Sequence, residues 1–136
     1  MKIGQVSLVF ATAILAIAFH MQSAQAAGFK ISFSWGNLKK CNSGNPNRVT
    51  NPKFSLSGVP KGTKTIQFSM KDLAVPSYRH GGGKVKYNGE SSIAPGAFKY
   101  KSPCPPGGRH TYQWTAIAKD AKGKKLATAT AKRKYP

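Results

Sequence analysis

The sequence predicts an all-β protein, a small Greek-key β-sandwich with few or no helices beyond its first 26 residues. Three observations carry this. Several runs alternate apolar and polar residues, the period of a half-buried strand. Turn-forming stretches separate those runs, drawing on 14 Gly and 9 Pro in 136 residues. Past residue 26 no stretch joins an apolar helical stripe to capping residues.

The first 26 residues read as a secretory leader. Lys2 precedes an apolar stretch from Val6 to Phe19, and Ala24-Gln25-Ala26 puts small residues where a signal peptidase cuts. The stretch falls short of the roughly 20 apolar residues that span a bilayer, so no transmembrane segment is expected in the mature chain. Cleavage after Ala26 leaves 27–136 as one β domain, expected to be periplasmic or secreted.

The first strand falls at 29–35, where Phe29, Ile31, Phe33 and Trp35 alternate with polar residues. Residues 39–50 read as a loop, because Asn42, Ser43, Gly44, Asn45, Pro46 and Asn47 are all turn formers. Strands follow at 54–57, at 63–70 with Ile66, Phe68 and Met70 on one face, and at 84–87. Between the last two lies a loop over 72–83. Asn88-Gly89 is a turn, and 93–101 reads as an irregular connection centred on Pro95-Gly96. Residues 110–118 and 125–133 form a hairpin around Asp120-Ala121-Lys122-Gly123, with Tyr112 and the core residue Trp114 sharing a face.

Charge limits the partners. Lys and Arg number 22 against three acids, Asp72, Glu90 and Asp120, for a formal net charge of +19, and only Lys2 leaves with the leader. Such a surface attracts polyanions through long-range, salt-sensitive forces, and the candidates outside the cytoplasm are anionic lipid, lipopolysaccharide phosphate and acidic polysaccharide. The cations are spread along the chain with no recognition helix or stacking motif, so no specific nucleic acid is expected. A solvated coat that keeps the protein soluble explains the charge equally well. Cys41 and Cys104 are the two cysteines, and export to an oxidising compartment makes a disulfide the economical reading over a redox thiol or a metal ligand. Closing a loop of about 63 residues stabilises by about 3–4 kcal/mol in the chain-entropy model.

One run is shaped like a site: Ser102-Pro103-Cys104-Pro105-Pro106-Gly107-Gly108-Arg109-His110-Thr111-Tyr112. Prolines set the path of its loop and paired glycines allow close approach beside His110. Asp72, His80 and His110 each sit at a strand end beside Pro or Gly or their turns, so three ends can meet at one rim. Imidazoles and loop amides grip phosphate, while a carboxylate orients an imidazole.

Taken with Asp72-Leu73-Ala74-Val75-Pro76 and His80-Gly81-Gly82-Gly83, this run resembles the phosphatidylethanolamine-binding protein family, in particular its bacterial Raf-kinase-inhibitor-like branch, over about residues 51–120. In that family the matching segments, Asp-Pro-Asp-x-Pro, a following His, and a Gly-Pro-Cys-Pro-Pro stretch leading to His-x-Tyr, line an anion-binding pocket. The resemblance implies Asp72, Pro76, His80, Ser102, Pro103, His110 and Tyr112 as ligand-binding residues, although Tyr112 also suits a core. Ala74 replaces the family's second Asp, Leu73 its first Pro and Ser102 its Gly. Losing a carboxylate favours an anion over an amine. Nothing past Tyr135 resembles the family's C-terminal helix, so the pocket is expected to be shallow and open.

The expected function is that of an exported, strongly basic binding protein for a small anionic or phosphorylated ligand, with no catalysis, cofactor or metal. The resemblance adds an inhibitor-like role or lipid-headgroup binding. The alternative is a structural or adhesive immunoglobulin-like module without a pocket, since 110–118 followed by a Lys-Gly turn also ends many sandwich repeats. A single copy and the proline-rich loop weigh against it. Asp72, His80 and His110 include acid, base and ligand chemistry, yet no Gly-x-Ser-x-Gly, His-Glu-x-x-His or phosphate loop accompanies them.

Overall fold

Side chains that alternate between buried and exposed along each long strand give every sheet one face for a core. The computed structural model describes residues 28–136, and the leader expected at 1–26 lies outside them. Nine strands follow in order: β1 (Lys30–Phe33), β2 (Arg48–Thr50), β3 (Phe54–Ser57), β4 (Thr65–Asp72), β5 (Gly82–Lys86), β6 (Ser92–Ile93), β7 (Lys99–Lys101), β8 (His110–Lys119) and β9 (Lys125–Tyr135). Among the described residues there is no helix.

The strands form a three-stranded sheet β1-β3-β6, a ribbon β2-β7 and a four-stranded sheet β5-β4-β8-β9, with every pairing antiparallel. Ile66, Phe68 and Met70 of β4 and Trp114 and Ala116 of β8 face inward against Ile31 and Phe33 of β1 and Phe54 and Leu56 of β3. Phe54 joins the sheets: its ring stacks on Phe68 at 4.5 Å and meets the edge of Trp114 at 5.1 Å. Asn51, buried in the same region, is matched on every side. Its Nδ2 donates to the Pro52 and Ala94 carbonyls and its Oδ1 accepts from the Phe98 amide. A buried amide with its partners in place fixes the crossing between β2 and β3.

Three short strands depart from the sequence reading. β2 lies at the end of the expected loop, and β6 and β7 lie in or beside the expected irregular connection. With two or three residues each they show no period, and their pairing with partners far along the chain defines them, as in Arg48 against Lys101. β5 begins at Gly82, inside the expected loop. A Cβ at Gly82 would stand 1.9 Å from the Phe68 carbonyl oxygen, and one at Gly83 would stand 2.4 Å from Phe98 Cβ. Gly82 thus lets β5 close on β4, and Gly83 makes room for the Phe98 ring.

Candidate functional site

Asp72 ends β4 and pairs across the ladder with Tyr112, two residues beyond His110 at the start of β8. Period-two alternation puts His110 and Tyr112 on one face, so His110 is the diagonal neighbour of Asp72. Its Nδ1 donates to Asp72 Oδ2 at 2.7 Å, and the Ala74 amide donates to Oδ1 at 2.8 Å in an Asx turn. Burial raises the Asp72 pKa, but His110, the Ala74 amide and the Tyr112 hydroxyl outweigh it and hold the carboxyl below its usual value. Burial and the Asp72 charge push the Tyr112 phenol up.

His80 arrives from the other side. It precedes β5, and its carbonyl accepts from the Lys101 amide at 2.8 Å while its Nδ1 meets the Lys101 carbonyl at 2.8 Å. A carbonyl can only accept, so Nδ1 carries the hydrogen. Burial holds His80 below the usual imidazole pKa, outweighing the raising effects of the Lys101 carbonyl and Asp72. Its ring lies edge-on to Tyr112 at 5.5 Å, and His110 stacks on the same phenol at 6.3 Å. In both histidines Nδ1 is committed to the protein. Nε2 makes no hydrogen bond among the described residues.

These side chains line an open cavity of about 200 Å³, together with Val75, Tyr78, Cys104, Pro105, Pro106, Gly44 and Pro46. Asp72, His80, His110 and Tyr112 are thus brought together. Pro76 is not, because it turns into a separate depression with Lys71 and Arg79. Ser102 and Pro103, expected in the wall, are buried behind it. Ser102 accepts from the Asn47 amide through its hydroxyl at 3.1 Å and donates its own amide to the Asn47 carbonyl at 2.8 Å. It therefore clamps the 41–47 strap, and the next residues of the loop face the ligand space. The strap is also tied by the Cys41–Cys104 disulfide, whose Cα atoms are 4.7 Å apart. Gly44 and Pro46 could have been found only through that bond. Among the described residues no group of three or more His, Cys, Asp and Glu side chains is arranged to hold a metal, and no helix is long and apolar enough to cross a membrane.

No protein-family model and no curated protein matches the sequence. Solved structures do match in shape. A phosphatidylethanolamine-binding protein homologue from Chlamydia trachomatis aligns with a TM-score of 0.57 and 19% identity, covering 80% of this chain and 97% of that one. Escherichia coli YbcL, described as a new member of the mammalian phosphatidylethanolamine-binding protein family, aligns with a TM-score of 0.60 and 17% identity, covering 80% and 98%. The chain has the phosphatidylethanolamine-binding protein fold. That fold and the family its loop segments resemble are the same.

Proposed function

We propose that this is an exported binding protein whose histidine pocket takes a small phosphorylated headgroup, without catalysing its turnover. The observation that carries the reading is the shared orientation of the two imidazoles: each gives Nδ1 to a fixed protein acceptor, leaving Nε2 for a ligand. A protonated ring presents Nε2–H as a charge-assisted donor to a phosphate oxygen. A neutral one offers a lone pair to a ligand hydroxyl or ammonium. Asp72 is spent on His110 and the Ala74 amide, so it orients the site and does not serve as a free carboxylate for an amine. The strongly cationic chain around the cavity adds attraction for any anion.

Calorimetric titration with phosphoethanolamine tests the reading. Affinity is expected to rise as pH falls below the usual imidazole range, because burial holds the His80 pKa down and protonation then adds an Nε2–H donor. His110→Ala is expected to lose about 1.5–3 kcal/mol of binding, the scale of a hydrogen bond to a charged group. A variant that titrates like wild type overturns the site and leaves the structural-module reading. Export is tested separately by N-terminal sequencing of the secreted or periplasmic protein, expected to begin at Ala27. Retention of the leader in cytosolic protein overturns it.

A further inference from the structure

Alternation gives the strands that build the histidine pocket a second, outward face. Lys71 and Gln113, the neighbours of Asp72 and Tyr112, pair with each other across β4 and β8, and Gln113 pairs onward with Lys132 of β9. The middle of this face is a lane of hydroxyls and amides along β4 and β8: Thr65, Gln67 and Ser69 beside Thr111, Gln113 and Thr115, with Ile117 as the apolar exception. Lysines border it, Lys84 and Lys86 on β5 and Lys132 and Lys134 on β9. Lys71 and Lys119 stand near its two ends, and Lys119 Nζ reaches the Gln67 side-chain oxygen at 2.7 Å. Where the 76–81 loop rises beside the lane, Ser69, Lys71, Ser77, Arg79, Gln113 and Thr115 line a depression of about 510 Å³.

No carboxylate answers these charges. Among the described residues no Lys or Arg pairs with an Asp or Glu side chain: Asp72 is held by His110, Glu90 by the Asn88 amide, and Asp120 by the amides of Lys122 and Lys124. Lysines on the edge strands β5 and β9 also discourage pairing with other chains. That purpose does not account for Lys71 and Lys119 on the central strands, nor for Arg79 on the loop.

We propose that this outer face is a second binding site, distinct from the histidine pocket, for a linear anionic polysaccharide lying along the hydroxyl and amide lane. Strands about 4.8 Å apart place Lys71 and Lys132 on either side of Gln113, so charged substituents meet lysines while sugar hydroxyls meet Gln, Ser and Thr. A bilayer fits this face poorly, because the exposed large hydrophobics Leu73, Val75, Tyr78 and Leu126 lie on the 73–78 loop and at the hairpin end. Single-stranded nucleic acid stacks its bases on several aromatic rings, and here only Tyr78 borders the depression.

The test is calorimetry with a size-defined heparin oligosaccharide at several salt concentrations. Two charge-matched variants are compared with wild type: Lys71→Gln/Arg79→Gln/Lys132→Gln on this face, and Lys30→Gln/Lys53→Gln/Lys99→Gln outside this sheet. The first is expected to weaken binding about tenfold or more and to flatten the slope of log affinity against log salt by about two to three, as three ionic contacts go. The second is expected to stay within about twofold of wild type, since distant charges are screened. Phosphoethanolamine binding is expected to be unchanged in the first variant, which separates this site from the histidine pocket. Equal weakening in both variants overturns the proposal. So does DNA or an anionic vesicle binding through the same three residues as tightly as heparin does.

Discussion

Gly83→Ala probes the packing that delivers His80 to its pocket. A Cβ on Gly83 would lie 2.4 Å from Phe98 Cβ and Cγ and 3.0 Å from Cδ2. Ordinary carbon contacts are about 3.5–4.0 Å, so Phe98 must withdraw by about 1 Å or more. It has little room, because its ring stacks on Phe68 at 5.6 Å and Phe54 at 6.4 Å and meets Trp114 at 5.9 Å. Overpacking of this kind costs about 1–3 kcal/mol, and the bracing by three rings puts the expected value near the top, about 2–3 kcal/mol. Phe98→Gly, removing the half-buried ring together with the Cβ that the new methyl would meet, is expected to cost about 4 kcal/mol. The double variant is expected to cost about as much as Phe98→Gly alone, a coupling of about 2 kcal/mol. Gly82→Ala is expected to resist this rescue, because its Cβ would meet the backbone of Phe68. Urea unfolding followed by tryptophan fluorescence measures all four. A Gly83→Ala protein within about 0.5 kcal/mol of wild type, or a strictly additive double variant, would refute the packing argument.

Replacing both cysteines by serine is expected to cost about 3–4 kcal/mol, since the bond closes a loop with a sequence separation of 63, and to weaken phosphoethanolamine binding as Gly44 and Pro46 leave the wall. Intact mass before and after reduction and alkylation checks the bond, and urea unfolding checks the cost. His80 has its pKa lowered in the folded state, so its contribution to stability is present above about 6.5 and lost as pH falls below it; melting temperature measured from pH 8 to 5 should decline, and His80→Asn should flatten that decline. Asp72, also lowered, contributes above about 3.9 and loses that contribution as pH falls through its lower folded value. Asp72→Asn should therefore remove part of the acid limb of the same profile.

Alternation made the long strands legible, and the same alternation explains how Asp72, Tyr112 and His110 come to share a face. It could not expose β2, β6 or β7, where pairing partners and not periodicity make the strand. Gly82 and Gly83 misled for a physical reason: glycine signals flexibility along a chain, but here it signals that backbone and ring occupy the space of a side chain. The loop motif runs beside the cavity, with Cys104, Pro105, Pro106, His110 and Tyr112 among its lining residues. Ser102 and Pro103 belong to the scaffold, because Ser102 is occupied with Asn47, and the wall is made by Cys104, Pro105 and Pro106. Pro76 lies on the nine-residue loop 73–81 between β4 and β5 and lines a separate depression, a turn of the loop that residue spacing does not determine.

The histidine rings offer the most direct test of the pocket. A long-range proton–nitrogen NMR spectrum of the imidazoles reports which nitrogen carries hydrogen and which one a ligand touches. In the free protein Nδ1 of both His80 and His110 is expected to be protonated, held by the Lys101 carbonyl and by Asp72. On addition of phosphoethanolamine the Nε2 signals of both rings are expected to shift while the Nδ1 signals stay near their starting positions. Hydrogen on Nε2 in the neutral free rings would contradict the Nδ1 hydrogen bonds that orient the site, and ligand-induced shifts confined to residues outside the cavity would contradict a phosphate-binding pocket built on these two side chains.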